Sequence, residues 1–201
     1  MDQESADNAL HWYDLERYLF ETVGPRFRRE HTLTAFDFFS IVIWKANRAK
    51  SRIAKRLKEN REGRTLSQIV EELARTLAAA SNNCDRMRIL FDDFGFLLPM
   101  ASAVLTVLWP DQFTIYDVRA CEQLDQCREQ PDRFGKLGAT TKFSEDFWKM
   151  YLNYCMAVAE KVPGSLSLRD KDRVLWARSS MQQLKREIEA EFIKKSREND
   201  D

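Results

Sequence analysis

Asp117 stands where a turn, Trp109-Pro110-Asp111-Gln112-Phe113, and the β-leaning triplet Thr114-Ile115-Tyr116 give way to a new helix. Free backbone amides at a helix N-terminus stabilise a carboxylate and keep it ionised. Such a group either caps the helix, the commonest use of Asp at this position, or offsets positive charge that develops beside it. A second feature is charge. From Pro25 to Arg64 twelve basic residues face only Glu30, Asp37, Glu59 and Glu62, a local excess of eight. The stretch before it holds Asp2, Glu4, Asp7, Asp14, Glu16 and Glu21 against Arg17 alone. The basic face therefore either meets an external anion or pairs with the acidic N-terminal segment inside the fold.

Other reactive residue types are sparse. Cys84, Cys121, Cys127 and Cys155 form no CxxC pair, and only His11 and His31 add soft ligands, so no metal and no cofactor is expected. Small core-filling thiols in a reducing compartment are the reading of the cysteines. His31 belongs to a helix-cap region rather than to acid–base work. Lys45 and Lys50 are read as solvated or phosphate-facing amines.

The elements that position these residues read as helices nearly throughout. Leu10, Tyr13, Leu15, Tyr18, Leu19 and Val23 step at helical spacing, and Gly24-Pro25 is expected to stop that helix. A second helix starts near Thr32 or Thr34, carries Phe36, Phe39, Ile43, Ala46, Ile53 and Leu57 on one stripe, and ends at Gly63. Thr65 with Gln68 reads as a capping box for a third, with Leu66, Ile69, Val70, Leu73 and Leu77 inward, broken at Asn82-Asn83. A short helix over Cys84–Asp93 leads through Phe94-Gly95-Phe96-Leu97-Leu98 into an apolar helix from Pro99 to about Leu108. Proline suits that first position because its missing amide proton has no helical partner there. Helices from Tyr116-Asp117 to about Cys127, from Glu145 to Val162 with Ser144 as cap, over Leu168–Ser179 and over Met181–Arg197 complete the all-α prediction, with Gln130 to Thr141 as the longest loop.

Length and composition agree. The 201 residues, 44% hydrophobic and 32% charged with six Gly and five Pro, suffice for one core and argue against a β-sandwich or low-complexity chain. Zero net charge and a pI near 6.8 argue against indiscriminate nucleic-acid binding by the chain as a whole. No window of about 18 uncharged apolar residues occurs, and Met1 to Asp7 is acidic and polar, so a soluble cytoplasmic protein without membrane partners is expected.

The order helix, Gly-containing turn, Ala/Ser-rich helix, Trp-Pro-Asp turn, Asp117 between Asp92 and Leu124 resembles the helix-hairpin-helix DNA glycosylase superfamily, which includes endonuclease III and the adenine-mismatch and 8-oxoguanine glycosylases. There a Leu-Pro-Gly-Val-Gly hairpin precedes a helix that begins with small residues, and a catalytic Asp follows a second turn. Gly95-Phe96-Leu97-Leu98-Pro99-Met100-Ala101-Ser102-Ala103 occupies the hairpin and helix, and Asp117 falls at the Asp. The resemblance spans roughly residues 33 to 124. The helix ending in Trp44-Lys45-Ala46-Asn47-Arg48 looks like the family's early, groove-facing helix, and Leu168 to Trp176 like a C-terminal helix that returns beside the N-terminal one.

The resemblance implies a two-lobed single domain, with residues 33–124 as the lobe carrying the hairpin and 1–32 and 125–201 as the other. It implies a monofunctional DNA N-glycosylase that flips a damaged or modified base from duplex DNA, with Asp117 as catalytic carboxylate. Gly95, Phe96, Leu97 and Pro99, through outward hairpin amides, with Lys45, Arg48 and Arg119, are the implied DNA contacts. Trp44, Asn47 and Tyr116 are the implied base pocket, with Trp109, Phe113 and Trp176 as further aromatic neighbours. A nucleoid-associated bacterial protein with a downstream nuclease as partner fits this picture, in repair or, as a variant, in defence against phage DNA. The departures are specific: Pro99 or Met100 stands where bifunctional members carry a Lys, so no lyase activity is implied; Leu97 replaces the hairpin's second Gly; and endonuclease III's four-Cys cluster is missing. A non-catalytic DNA-binding or adaptor domain on the same fold and a helical protein-interaction module are the alternatives.

Overall fold

A computed structural model describes residues 3–125 and 134–190 and shows an all-α fold, with no strand among the described residues. The N-terminal segment runs through α1 (Gln3–Tyr13), α2 (Leu15–Arg17), a π-helical turn (Tyr18–Val23) and α3 (Gly24–Glu30). Gly24-Pro25 does not end the helix as the sequence suggests. Pro25 sits in the first turn of α3, where its missing N–H costs nothing, and the helix ends at His31 in the left-handed region at φ 56°. Gly24 serves packing instead, since a Cβ there would lie 2.4 Å from the Val107 carbonyl oxygen.

The second predicted helix begins as expected at Thr34, whose hydroxyl accepts the Asp37 amide while the Asp37 carboxylate accepts the Thr34 amide. Its buried face is a different one. In α4 (Ala35–Ala46) Asp37, Phe38, Ser40, Ile41 and Val42 are buried, whereas Phe36 is exposed and Ala46 also faces out. Asp37 is drawn inward by the Tyr18 hydroxyl, at 2.7 Å, and by Arg26, which rotates the helix away from the purely apolar stripe. A 3-10 turn, Asn47–Ala49, then resets the phase, so that Ile53 and Leu57 face the core in α5 (Lys50–Lys58). That helix stops before Gly63. Thr65 and Gln68 form the expected capping box on α6 (Leu66–Ala79).

At the centre lies α8 (Leu98–Leu108), in which Leu98 and every residue from Met100 to Leu108 are buried, packed against α4, α3 and α7 (Asn83–Asp92). Each fully buried Leu or Val there contributes about 1.5–3 kcal/mol from apolar burial. α9 (Val118–Asp125), a 3-10 turn (Gly135–Ala139), α10 (Glu145–Lys161), capped by Ser144, and α11 (Leu168–Glu189) follow. α11 is one helix where two were expected: Ser179 and Ser180 lie inside it, and the Ser179 hydroxyl bonds Glu122 at 2.6 Å. Cys127, the start of the predicted loop at Gln130, and the end of the last predicted helix fall outside the described residues. One hydrophobic core runs from Leu19 to Leu175.

Candidate functional site

The segment that delivers Asp117 has no regular secondary structure, is buried, and is held by side chains rather than by a ladder. Tyr151 accepts the Thr114 amide at 3.3 Å and donates to its carbonyl at 2.7 Å, and Tyr154 donates to the Ile115 carbonyl at 2.9 Å. The Ser102 hydroxyl of α8 accepts the Tyr116 amide at 2.9 Å. The backbone polar groups of a buried, unpaired segment need such partners. Their effect is to fix where Asp117 emerges.

Asp117 uses its two carboxylate oxygens differently. Oδ1 accepts the Arg119 amide at 3.0 Å, as a helix cap does, while Oδ2 accepts from Lys45 Nζ at 2.7 Å. Nζ also donates to the Tyr116 carbonyl at 3.3 Å. Lys45, the last cation of α4, is 13% exposed and Asp117 21%. The amine is thus paired within the fold rather than solvated: the buried course of Thr114 to Tyr116 places a carboxylate within reach of it.

This pair lies on the wall of a cavity of about 470 Å³ lined by Glu16, Trp44, Lys45, Ile115, Asp117, Arg169, Asp172, Arg173, Trp176 and Ala177. That volume lies within the range of small-molecule sites. Arg169 pairs with Asp172 and with Glu16, the latter at 2.9 Å, and its guanidinium lies 5.3 Å from the Phe20 ring centroid and 5.1 Å from that of Trp44. Arg173 reaches Glu16 at 3.4 Å. Burial pushes the Asp172 carboxyl up to about 6, against the opposing pull of Arg169 and Lys45. The cavity therefore combines two indole walls, three cations and three carboxylates.

Of the residues implied for the base pocket, Trp44 lines the cavity. Asn47 sits exposed on the 3-10 turn outside the lining. Tyr116 is buried, its hydroxyl donating to the carbonyls of Phe134 at 2.6 Å and Gly135 at 2.9 Å, with Gly138 packed so closely that a Cβ there would meet its ring at 2.7 Å. Its ring offers no face to a ligand. Trp109 and Phe113 pack against each other and Trp109 also against Phe27, while Trp176 does line the cavity, with the Arg119 guanidinium 5.5 Å from its ring centroid.

The hairpin residues lie apart from the cavity. The Gly95 amide donates to the Phe91 carbonyl at 3.0 Å and the Phe96 amide to that of Leu90 at 2.8 Å, so neither points outward. Pro99 has no N–H, which leaves the amides of Leu97 and Leu98 at the start of α8. Gly95 takes the positive φ of 63°, whereas Leu97 is extended at φ −84°, so the missing second Gly leaves no strain.

Glu16, Arg169, Asp172 and Arg173 escaped the sequence reading. Arg169, Asp172, Arg173 and Trp176 stand at i, i+3, i+4 and i+7, one helical face, and that spacing was the available signal. Among the described residues no group of three His, Cys, Asp or Glu is arranged to hold a metal. Burial pushes the Cys121 and Cys155 thiols up to about 12, which makes them inert packing groups. No helix among the described residues is long and apolar enough to cross a membrane. Compared with protein-family models, with curated proteins and with solved structures, the chain matches none.

Proposed function

We propose that the chain is a DNA N-glycosylase in which a base flipped from duplex DNA enters the Trp44/Trp176 cavity and Asp117 acts on the glycosidic bond. The observation that carries this reading is the Asp117–Lys45 pair, at 2.7 Å, on the wall of a cavity with two indoles. A base inserted there finds aromatic faces, and the sugar that follows it lies beside a carboxylate. As the C1′–N bond breaks, its electron pair leaves with the base, and the positive charge on the sugar is offset by Asp117. Water then adds at C1′ and gives its proton to Asp117, leaving an abasic site.

The position of Lys45 favours a second reading of the same site. If Asp117 takes its proton, the free amine rather than water attacks C1′, forming a C1′–N bond as the base departs, and the sugar opens to an imine. One experiment separates the two. Wild type, Asp117→Asn and Lys45→Gln are incubated with duplexes carrying a panel of damaged and modified bases, then treated with alkali to reveal abasic sites or with borohydride to trap an imine. Alkali-dependent cleavage by wild type, lost in Asp117→Asn and without a trapped adduct, is the monofunctional outcome. An adduct lost in Lys45→Gln is the lyase outcome. No product from any duplex, with salt-sensitive binding retained, moves the assignment to a non-catalytic DNA-binding domain.

A further inference from the structure

Arg48, Lys50, Arg52, Lys55, Arg56 and Lys58 stand in eleven consecutive residues without a single acid. Among the described residues none of the six side chains makes an ion pair or hydrogen bond, and several other acids of the fold are paired with other cations. Glu16 pairs with Arg169 and Arg173, Glu21 with Arg17, Asp37 with Arg26 and Glu72 with Arg64. Among the described residues this run is therefore not neutralised by the acidic N-terminal segment, although Arg26, Arg29, Lys45 and Arg64 elsewhere in the basic stretch do form ion pairs. Ile53 and Leu57 anchor α5 to the core, while Arg48, Lys50, Arg52, Lys55 and Lys58 are all exposed. Arg52, Lys55 and Lys58 recur every three residues, a row with steps of about 4.5 Å along the helix axis. Each strand of a duplex carries a phosphate per about 3.4 Å of its own axis, a comparable pitch of charge.

The run also joins the two features the fold leaves apart. It starts three residues after Lys45, on the cavity wall, and reaches the hairpin, where a Cβ on Gly95 would lie 3.4 Å from Arg56 Cδ. The surface depression at the hairpin sets Glu59, Glu72, Asp92 and Asp93 against Arg56, Arg61 and Arg64, so the excess of positive charge ends there. Two of the hairpin amides, those of Gly95 and Phe96, are already bonded to Phe91 and Leu90, which leaves only those of Leu97 and Leu98.

We infer that the exposed face of α5, rather than the hairpin amides, is the track that anchors the phosphate backbone of duplex DNA beside the cavity. This rests on the glycosylase reading for the identity of the polyanion. An anionic membrane is the less fitting surface: between the cations the exposed side of α5 offers Ser51 and a half-buried Ala54, and no apolar face to insert.

The test compares the whole chain with Arg52→Ser/Lys55→Ser/Lys58→Ser, by fluorescence anisotropy on an unmodified duplex across a salt series. Three lost phosphate contacts should make the slope of log affinity against log salt shallower by about 2.7 and weaken low-salt binding at least tenfold, with an unchanged melting temperature. Arg52→Lys, which keeps the charge, should bind as wild type. Equal affinity and slope in the triple variant overturn the proposal. So does a loss confined to binding of phosphatidylserine vesicles, which assigns the face to a membrane. The two readings fail separately: absence of excision on every duplex, with a shallower slope in the triple variant, defeats the glycosylase and leaves the track.

Discussion

Two aspartates at helix starts, Asp37 and Asp117, each pair with a cation from another element, yet their surroundings differ in kind. Asp37 is 1% exposed, and its carboxylate is taken up by Thr34, Tyr18 and Arg26. Asp117 has a cap on one oxygen and Lys45 on the other, and opens on a cavity of about 470 Å³ shared with a second carboxylate, Asp172. The residue types are nearly the same. The difference is that the first cluster is complete, so that removing a member leaves a buried partner unsatisfied, whereas the second has room for another molecule. The first holds α3 and the π-helical turn against α4; the second has the layout of a site.

The largest expected effect tests that division on the catalytic side. Asp117→Asn should lower single-turnover excision about 10³-fold, the scale of losing one electrostatic contact made in the transition state. Its melting temperature should stay close to that of wild type, since the amide still caps α9 and the position is partly hydrated. A melting temperature that drops by many degrees would put Asp117 in the same structural class as Asp37.

Asp37→Ala should do the reverse. Truncating one partner of a buried pair costs about 3 kcal/mol, and for a chain of this size that corresponds to a fall of roughly 6–12 °C in melting temperature. Excision per folded molecule should be unaffected. Thermal denaturation followed by circular dichroism reads the first part, and a shift under 2 °C would show that the cluster is not what ties α4 to the N-terminal helices.

Gly24→Ala is expected to cost somewhat less, about 2 kcal/mol, because the new methyl would press on the Val107 carbonyl, 2.4 Å away, and α3 and α8 must part to admit it. Chemical denaturation measures this, and a neutral result would mean the two helices separate freely. Gly24 also illustrates what could and could not be read from the chain. Local signals held: Thr65 and Ser144 cap the helices they were expected to cap, Thr34 is the one of two expected starts that α4 uses, and Pro99 sits in the first turn of α8. These depend on residues three or four apart. Gly24-Pro25 carries the same local signal for a helix end, but the close approach of Val107 in α8, 83 residues later, decided the role of the glycine. The inward turn of Asp37, set by Tyr18 and Arg26, likewise rotated α4 away from its apolar stripe.

The candidate site divides in the same way. Asp117 and the basic run were legible because each has a local signature, whereas Trp44 followed from the resemblance alone. The Arg169–Glu16 contact joins residues 153 positions apart, and nothing at either end announces the other. Tyr116 was assigned to the pocket as an aromatic that the resemblance implied, although adjacent side chains along the segment before α9 need not share a side. Asp117 faces the cavity, whereas Tyr116 faces the core.

The smallest effect separates the two clusters by the sign of their pH dependence. Hydrogen bonds from Thr34 and Tyr18, with the Arg26 charge, outweigh burial and hold Asp37 below its ordinary value. Its contribution to stability is present above an unfolded value of 3.8 and is lost as pH falls through its lower folded value. Burial places Asp172 on the other side, at about 6 against 3.8 unfolded. Between those values the folded state holds a proton that the unfolded state has released, so stability from this group falls as pH rises, by at most about 1.4 kcal/mol per pH unit. Asp172→Asn cannot titrate, and its stability relative to wild type should therefore rise from pH 4 to pH 6 and then level off. Urea denaturation at pH 4, 5, 6 and 7 reads the difference directly. A difference that does not vary with pH would place Asp172 with the ordinary surface carboxylates, and with it would go the contrast between a closed ionic cluster and one whose buried acid, though paired with Arg169, keeps its proton up to about pH 6 at the wall of a cavity.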